Sequence, residues 1–394
     1  MKKLFISLIV VLLVHANAWS QKRCDTLRAP MLSDSAFASV LTCGPGNRLY
    51  ESFGHSALRI CDSASNIDLV FNYGTFDFDE PFFYLKFAKG RLNYCLAVQS
   101  FNSFMFEYDY FGRAVWEQRL RLSKSELERL FTIVYVNAQP ENRYYKYDFF
   151  RDNCATRVRD VIERSLIDRR AENDNYPDEE VSYRDLIHKY TEGTLLWWRL
   201  GNDLLLGRNC DGIMTKAQYM YIPMEMMYQY DTLQTSDGNR LAEPAVQILP
   251  EKRDPATKSV SPTMCFWMLF TVVLLLTLIA RRNEWKLYWL DIILFSVTVA
   301  VSLLLIFLWA FSDHWCAKEN LNILWANPLF IILLLRIRHY NPVISLVIFC
   351  ILLCMLIGWS LWPQNFNPAV LPITLTLVLR LLDRYLNKKK YIIS

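Results

Sequence analysis

Tyr147-Asp148-Phe149-Phe150-Arg151-Asp152-Asn153-Cys154-Ala155-Thr156-Arg157-Val158-Arg159-Asp160 is the stretch on which the fold of this chain turns. Asn153 is a strong helix N-cap, because its side-chain oxygen accepts from a free N–H of the first turn. Val158, Val161, Ile162 and Leu166 come after it at helical spacing and predict the buried face of a helix that starts at Asn153. Cys154 then falls in the first turn, where free N–H groups and the helix dipole favour an anion. A thiol so placed ionises more readily, and the thiolate is the nucleophile.

Working outward, Glu51-Ser52-Phe53-Gly54-His55-Ser56-Ala57-Leu58-Arg59-Ile60 reads as a strand with a histidine near its start. A free thiol is only a few per cent ionised near neutral pH. A histidine in hydrogen-bonding reach raises that fraction and later serves as the acid. The backbone N–H of Cys154 is then placed to help an oxyanion hole. The competing reading makes Cys154 a core thiol and His55 a satisfied strand histidine. Other strand-like runs are Ser39–Cys43, Asp68–Phe76 and Leu92–Gln99, separated by turn signals such as Gly44-Pro45-Gly46-Asn47. Ser123 with Glu126 forms a capping box ahead of Leu127, Leu130, Phe131 and Val134, which predicts a helix from Ser123. Further helices are expected near Tyr183–Thr191 and Lys216–Tyr230, with Glu172–Glu180 as a polar loop.

Composition sets this domain in context. The 394 residues are 53% hydrophobic and 21% charged, which excludes a disordered chain and a strongly nucleic-acid-binding one. The net charge of +4 is unevenly spread: Thr263 to Ser394 carries 11 Lys/Arg against 5 Asp/Glu, the rest 32 against 34. A nearly neutral domain is thus joined to a basic, apolar tail. Residues 1–20 combine Lys2 and Lys3, the apolar Leu4–Val14 and Ala16-Asn17-Ala18, the pattern of an export signal peptide. An uncleaved anchor is the alternative, and either one exports the domain downstream of it. Residues 21–235 form the exported domain, 236–262 a linker rich in proline and mixed charge, and 263–394 a membrane domain.

Apolar runs at Met264–Ala280, Tyr288–Phe311, Leu321–Leu335, Pro342–Leu361 and Ala369–Leu382 predict five transmembrane helices, since a span needs roughly 20 residues. Ten of the eleven basic residues of the tail then fall on one side, which the positive-inside rule makes cytoplasmic; only Lys318 falls on the other. Ser312–Asn320 and Trp362–Pro368 lie outside with the exported domain. Asp313, His314, Asn320, Asn322 and Asn327-Pro328 make a polar cluster in and beyond that outer loop. Polar groups at membrane depth are usually functional; the bland alternative is a loop whose polar groups meet water. Of ten cysteines, six lie in the exported domain; Cys24, Cys43, Cys61 and Cys95 are candidates for disulfides that the sequence does not pair. No CxxC spacing occurs there, so no zinc site and no cofactor is expected.

A "GHS" strand at His55 with an "NC" helix start 99 residues later resembles the circularly permuted papain-like superfamily, to which the NlpC/P60 peptidases and lecithin:retinol acyltransferase-like enzymes are related. More closely, "FGHSALRI", "FNYGTFDF" and "DNCATRVRD", with five spans after them, resemble the bacterial Lnb family of lipoprotein N-acyltransferases. The resemblance implies an α+β circularly permuted papain-like extracytoplasmic domain joined to an all-α membrane domain. It implies Cys154 as nucleophile, His55 as base and a third polar residue on the next strand, assigned to Asn72 with Tyr73 and Asp77 as alternatives. Substrate-binding roles are expected for His314, Asn320, Asn322, Tyr73 and Asn153. The implied partners are a phospholipid acyl donor, a diacylated lipoprotein acceptor and the lipid bilayer of the inner membrane, with no nucleic acid. A membrane-tethered cysteine amidase or peptidase acting on cell-wall peptides is the second reading, and a non-enzymatic envelope module the third.

Overall fold

The computed structural model describes residues 29–46, 51–172, 180–193, 195–252 and 259–388. The expected signal peptide, Cys24, most of the 172–180 loop and residues 253–258 of the expected linker lie outside the described residues. The chain divides into two compact units that are each discontinuous in sequence. The first takes the described parts of Met1–Asp77, Asn93–Tyr176 and Gln218–Arg253; the second takes those of Phe78–Leu92, Pro177–Ala217 and Asp254–Ser394.

The first unit is built on a seven-stranded antiparallel sheet. Its strands are β1 (Phe37–Cys43), β2 (His55–Asp62), β3 (Ile67–Thr75), β4 (Asn93–Ser100), β5 (Val115–Arg119), β6 (Tyr144–Lys146) and β9 (Val246–Leu249), in the order β6-β4-β3-β2-β1-β5-β9. A two-stranded ribbon pairs β7 (Ala171–Glu172) with β8 (Gln234–Thr235). Neighbouring residues of the central strands are buried on opposite faces, as in a sheet covered on both sides. Val40, Leu58, Ile60 and Phe71 pack with Leu130, Phe131, Val158 and Ile162 of the two helices that cover one face. Leu41, Ala57 and Val70 pack with Phe104 and Tyr108 on the other. Each fully buried side chain of this kind contributes about 1.5–3 kcal/mol relative to exposure.

The helix expected from Ser123 runs Lys124–Asn137, with the Ser123–Glu126 capping box formed. The helix expected at Asn153 runs Cys154–Ser165 (here α4), with Asn153 as N-cap. Phe101–Tyr110 (α2) also forms a helix, although its sequence shows no helical stripe; it buries only Phe104 and Tyr108, one turn apart. The helix expected over Lys216–Tyr230 is two, Lys216–Tyr219 and Pro223–Tyr230, because Pro223 has no N–H to continue the first and suits the first turn of the second.

In the second unit, Pro262–Arg282 (α9) and Tyr288–Phe311 (α10) are long and apolar enough to cross a membrane. Pro342–Ile357 is a shorter apolar helix, and Val370–Leu386 closes the unit. Over the third expected span, Leu321–Leu335, the chain is not one continuous helix: a 3-10 turn at Leu321–Leu324 is followed by a six-residue helix, Phe330–Leu335. In the turn before the second piece Asn327 Oδ1 accepts from Leu329 N–H (3.0 Å), and Pro328 has no N–H with which to carry a helix through. Six residues rise about 9 Å, well short of a bilayer core. Among the apolar helices, fully buried Asp291 binds Arg380 (2.7 Å) and Arg384 (3.0 Å), and Asp383 binds Arg281 (2.9 Å) and Arg380 (3.1 Å). Buried charges are tolerable only when paired in this way.

Candidate active site

Three elements of the first unit meet at one end of its sheet. Cys154 is the first residue of α4, and Asn153 before it is buried with every side-chain group engaged. Its Oδ1 accepts from Thr156 N–H (2.9 Å), and its Nδ2 donates to the carbonyls of Phe149 and Tyr221 (both 2.7 Å). Thr156 Oγ1 accepts in turn from Asn153 N–H (2.8 Å), so the helix start is doubly fastened. An N-cap of this kind is worth about 1 kcal/mol, and here it also fixes where the thiol points.

His55 opens β2, and Asn72 lies near the far end of the antiparallel β3. The β2–β3 register pairs Leu58 with Phe71; continued by one residue, it sets Asn72 beside Ala57, so His55 is its diagonal neighbour on the same face. His55 Nε2–H donates to Asn72 Oδ1 at 2.6 Å. That bond leaves Nδ1 for the thiol, and the His55 and Cys154 side chains are hydrogen-bonded to each other.

The electrostatics derive from this arrangement. Burial alone would push the Cys154 thiol up. The charge and hydrogen bond of His55 outweigh it, aided by the backbone N–H groups of Ser56 and Ala155, and hold the thiol below its ordinary range. For His55, burial acts downward, but the Cys154 charge and the bonds to Cys154 and Asn72 hold the imidazole above its ordinary value. Both directions favour proton transfer from the thiol to the imidazole. The helix dipole supplies only about 0.3–1 kcal/mol, less than one pKa unit at about 1.36 kcal/mol. His55 therefore carries most of the effect.

Two glycines beside the pair hold backbone conformations that other residues rarely adopt. Gly54 holds φ at +82°, and a Cβ there would come within 2.6 Å of the Cys43 carbonyl. Gly74 holds φ at +89°, and a Cβ there would lie 3.6 Å from Cys154 Cβ and 3.5 Å from the Tyr147 ring. Tyr147 stacks on Tyr94 (4.2 Å between centroids) to wall this side. Gly74 and the Ser56 N–H were not singled out by sequence reasoning. A glycine inside the "FNYGTFDF" strand was the available signal for a close backbone approach.

The remaining expected site residues have these partners within the chain. Tyr73 is buried, and its hydroxyl accepts from Asn137 Nδ2 (2.9 Å), away from the imidazole. Of the three candidates for the orienting group, the side chain bonded to His55 Nε2 is that of Asn72. Asn153 is fully occupied as the cap described above. Asn320, Asn322 and His314 belong to the second compact unit. Asn320 Nδ2 donates to the Leu204 carbonyl (2.8 Å) and Asn322 Nδ2 to that of Asp203 (2.9 Å), while Asn322 Oδ1 accepts from Trp325 Nε1–H (2.9 Å). Both asparagines are buried, and their amides tie this turn to the carbonyls of Asp203 and Leu204. His314 Nε2–H donates to the Phe87 carbonyl at 2.8 Å. Cys43, Cys61 and Cys95 are free thiols, so no disulfide forms among the described candidates.

Fold and site define a membrane protein whose α/β domain presents a histidine-paired thiol at the head of a helix. Residues 29–191 match the family model of the Lnb N-terminal periplasmic domain, and residues 254–391 match that of the Lnb transmembrane domain. The chain belongs to the Lnb family, membrane proteins of lipoprotein biogenesis with a periplasmic domain. No curated protein and no solved structure matches it.

Proposed function

We propose that this protein is a lipoprotein N-acyltransferase of the inner membrane, working through a thioester on Cys154. The observation that carries the proposal is the Cys154–His55–Asn72 constellation on a chain that also bears the Lnb transmembrane domain. The Cys154 thiolate attacks the ester carbonyl of a phospholipid. The tetrahedral oxyanion is met by backbone N–H groups at the head of α4, of which Cys154's own is one. As the C–O bond breaks, the His55 imidazolium gives its proton to the leaving alkoxide, and a lysophospholipid departs. The α-amine of the N-terminal cysteine of a diacylated lipoprotein then attacks the thioester. His55, now neutral, takes the amine proton, the C–S bond breaks, and a triacylated lipoprotein leaves with the thiolate restored. Asn72 accepts from Nε2–H throughout and keeps the imidazole aimed at both reacting atoms.

The order of the parts, histidine strand before cysteine helix, supports a permuted papain-like domain. Both substrates hold their acyl chains in a bilayer while their reacting atoms stand at its surface, which gives a transmembrane domain a reason to accompany a thiol enzyme. Mass spectrometry of lipoprotein N-termini from cells with and without the gene tests the reading. Triacylated N-termini that disappear with the gene are expected. Unchanged N-termini with altered cell-wall peptides would replace it with the amidase reading.

A further inference from the structure

Between β3, which carries Asn72, and β4, the chain leaves the first compact unit: Phe78–Leu92 belongs to the second. This excursion contains the short helix Phe83–Ala88 (α1). Around it stand Phe82, Tyr84 and Phe87, exposed at 77%, 80% and 53%, together with exposed Phe78 and Leu85. Isolated apolar residues on a surface are ordinary, but five within ten positions form a patch that marks an interaction site.

The excursion is fastened at a specific place. Asp313 N–H donates to the Lys89 carbonyl (2.8 Å), and His314 Nε2–H donates to that of Phe87 (2.8 Å). Arg91 forms a two-point ion pair with Asp313 (2.9 and 3.3 Å). Gly90, at φ +67°, lets the backbone close on His314, which a Cβ would meet at 3.3 Å. Asp313 and His314 come two and three residues after α10 ends at Phe311, at the end of that helix opposite the basic Arg281, Arg282 and Lys286 connection, which the positive-inside rule makes cytoplasmic. The aromatic helix is therefore pinned to the outer end of an apolar helix long enough to span.

Its backbone adds an independent sign. Phe82, the residue before the helix, holds φ at +59°, a left-handed conformation that bulky side chains rarely adopt. Strain of this kind persists where something rewards it. With its ring 77% exposed, burial within the chain does not supply that reward.

We infer that the Phe78–Leu92 excursion is a membrane-interface finger: Phe82, Tyr84 and Phe87 enter the headgroup–acyl boundary of the outer leaflet, with His314 as the clamp that holds them at that depth. Aromatic rings, and tyrosine in particular, concentrate at this level of a bilayer. The inference rests on the membrane reading of α9 and α10 and is independent of the acyl-transfer chemistry.

The test uses the full-length chain in phospholipid nanodiscs, with the photo-crosslinking residue p-benzoylphenylalanine placed singly at four positions. Phe82 and Tyr84 probe the finger, Leu269 on α9 is the membrane control, and Tyr144, exposed in the first unit, is the other. Alkylation of Cys154 reports that each variant is folded, and thermal unfolding does so for the chain without that thiol. Phospholipid adducts are expected at Phe82, Tyr84 and Leu269 and absent at Tyr144. With His314→Ala, adducts at Tyr84 should fall severalfold while those at Leu269 stay unchanged. The same pattern is expected in a Cys154→Ala chain, so loss of chemistry and loss of membrane contact are read separately. Adducts at Leu269 without any at Phe82 or Tyr84, or adducts of the finger to another protein, overturn the inference.

Discussion

Two buried thiols lie at the same end of the sheet and differ in almost everything that decides reactivity. Cys43 ends β1 and is paired in register with His55 itself. Yet burial pushes its thiol up to about 12, against the smaller downward pulls of Arg113 and of a hydrogen bond with Tyr108. Cys154 is buried as well, and its thiol is held low. Being next to a histidine in the strand register is thus not enough. Cys43 packs into the face covered by α2, beside Phe104 and Tyr108, with no helix start behind it. Cys154 has the imidazole as a hydrogen-bonded partner and the first N–H groups of a helix around the sulfur. The difference teaches that a nucleophile here is made by what faces the sulfur, and that burial by itself silences it.

The sharpest way to break this comparison is to remove each thiol in turn. Cys154→Ala should bring lipoprotein N-acylation to background, a loss of at least about 10³-fold, because no second thiol can carry the acyl group. Cys43→Ala should leave turnover within about threefold of the parent and cost about 1 kcal/mol of stability. Both are read by mass spectrometry of lipoprotein N-termini at matched membrane abundance. If Cys43→Ala were the inactive variant, the two thiols would have to exchange roles.

Next comes the partner. His55→Ala removes the general acid and base, whose contribution is about 10²–10⁴-fold. It should also change how Cys154 meets iodoacetamide as pH varies. The lowered thiol is ionised above its depressed pKa, and the raised imidazole stays protonated up to its own. Alkylation of the parent should therefore climb with pH around a midpoint below that of an ordinary thiol near pKa 8.5. The His55→Ala thiol should climb around a midpoint at or above the ordinary value. A parent profile that climbs equally would contradict the ion pair.

A smaller effect is expected at Asn72. A hydrogen bond to a charged group is worth about 1.5–3 kcal/mol, so Asn72→Ala should slow acyl transfer about tenfold to a hundredfold. The neighbouring Tyr73→Phe should leave the rate unchanged and lower stability by about 1 kcal/mol, since its hydroxyl serves Asn137 and not the imidazole. Equal losses at the two positions would mean that the strand, and not its orienting amide, was the sensitive feature.

Much of the catalytic end was legible in the sequence because it rests on local signals. The N-cap Asn153, the capping box at Ser123 and the register of a strand headed by His55 are written in consecutive residues. The Asn72 contact needed two strands to be paired, and its assignment rested on the family resemblance, which left Tyr73 and Asp77 as alternatives. The membrane unit was legible at Tyr288–Phe311, where apolar length alone decides. It was not at Leu321–Leu335, where one proline and two buried asparagines override hydropathy. Nor did any local pattern tell that Phe78–Leu92 leaves one unit for the other. That depends on His314 and Asp313, more than 220 residues away.

The central claim is that Cys154, and not Cys43, takes the acyl group. Purified enzyme is incubated with phospholipid of a single known acyl chain, without lipoprotein acceptor, and digested at low pH to preserve thioesters. Mass spectrometry then compares the peptides that carry the two cysteines. The expected result is the acyl mass on the Cys154 peptide alone, removed by neutral hydroxylamine and absent in His55→Ala. Acyl mass on the Cys43 peptide, or none on either while acylated lipoprotein still forms once acceptor is added, would contradict it.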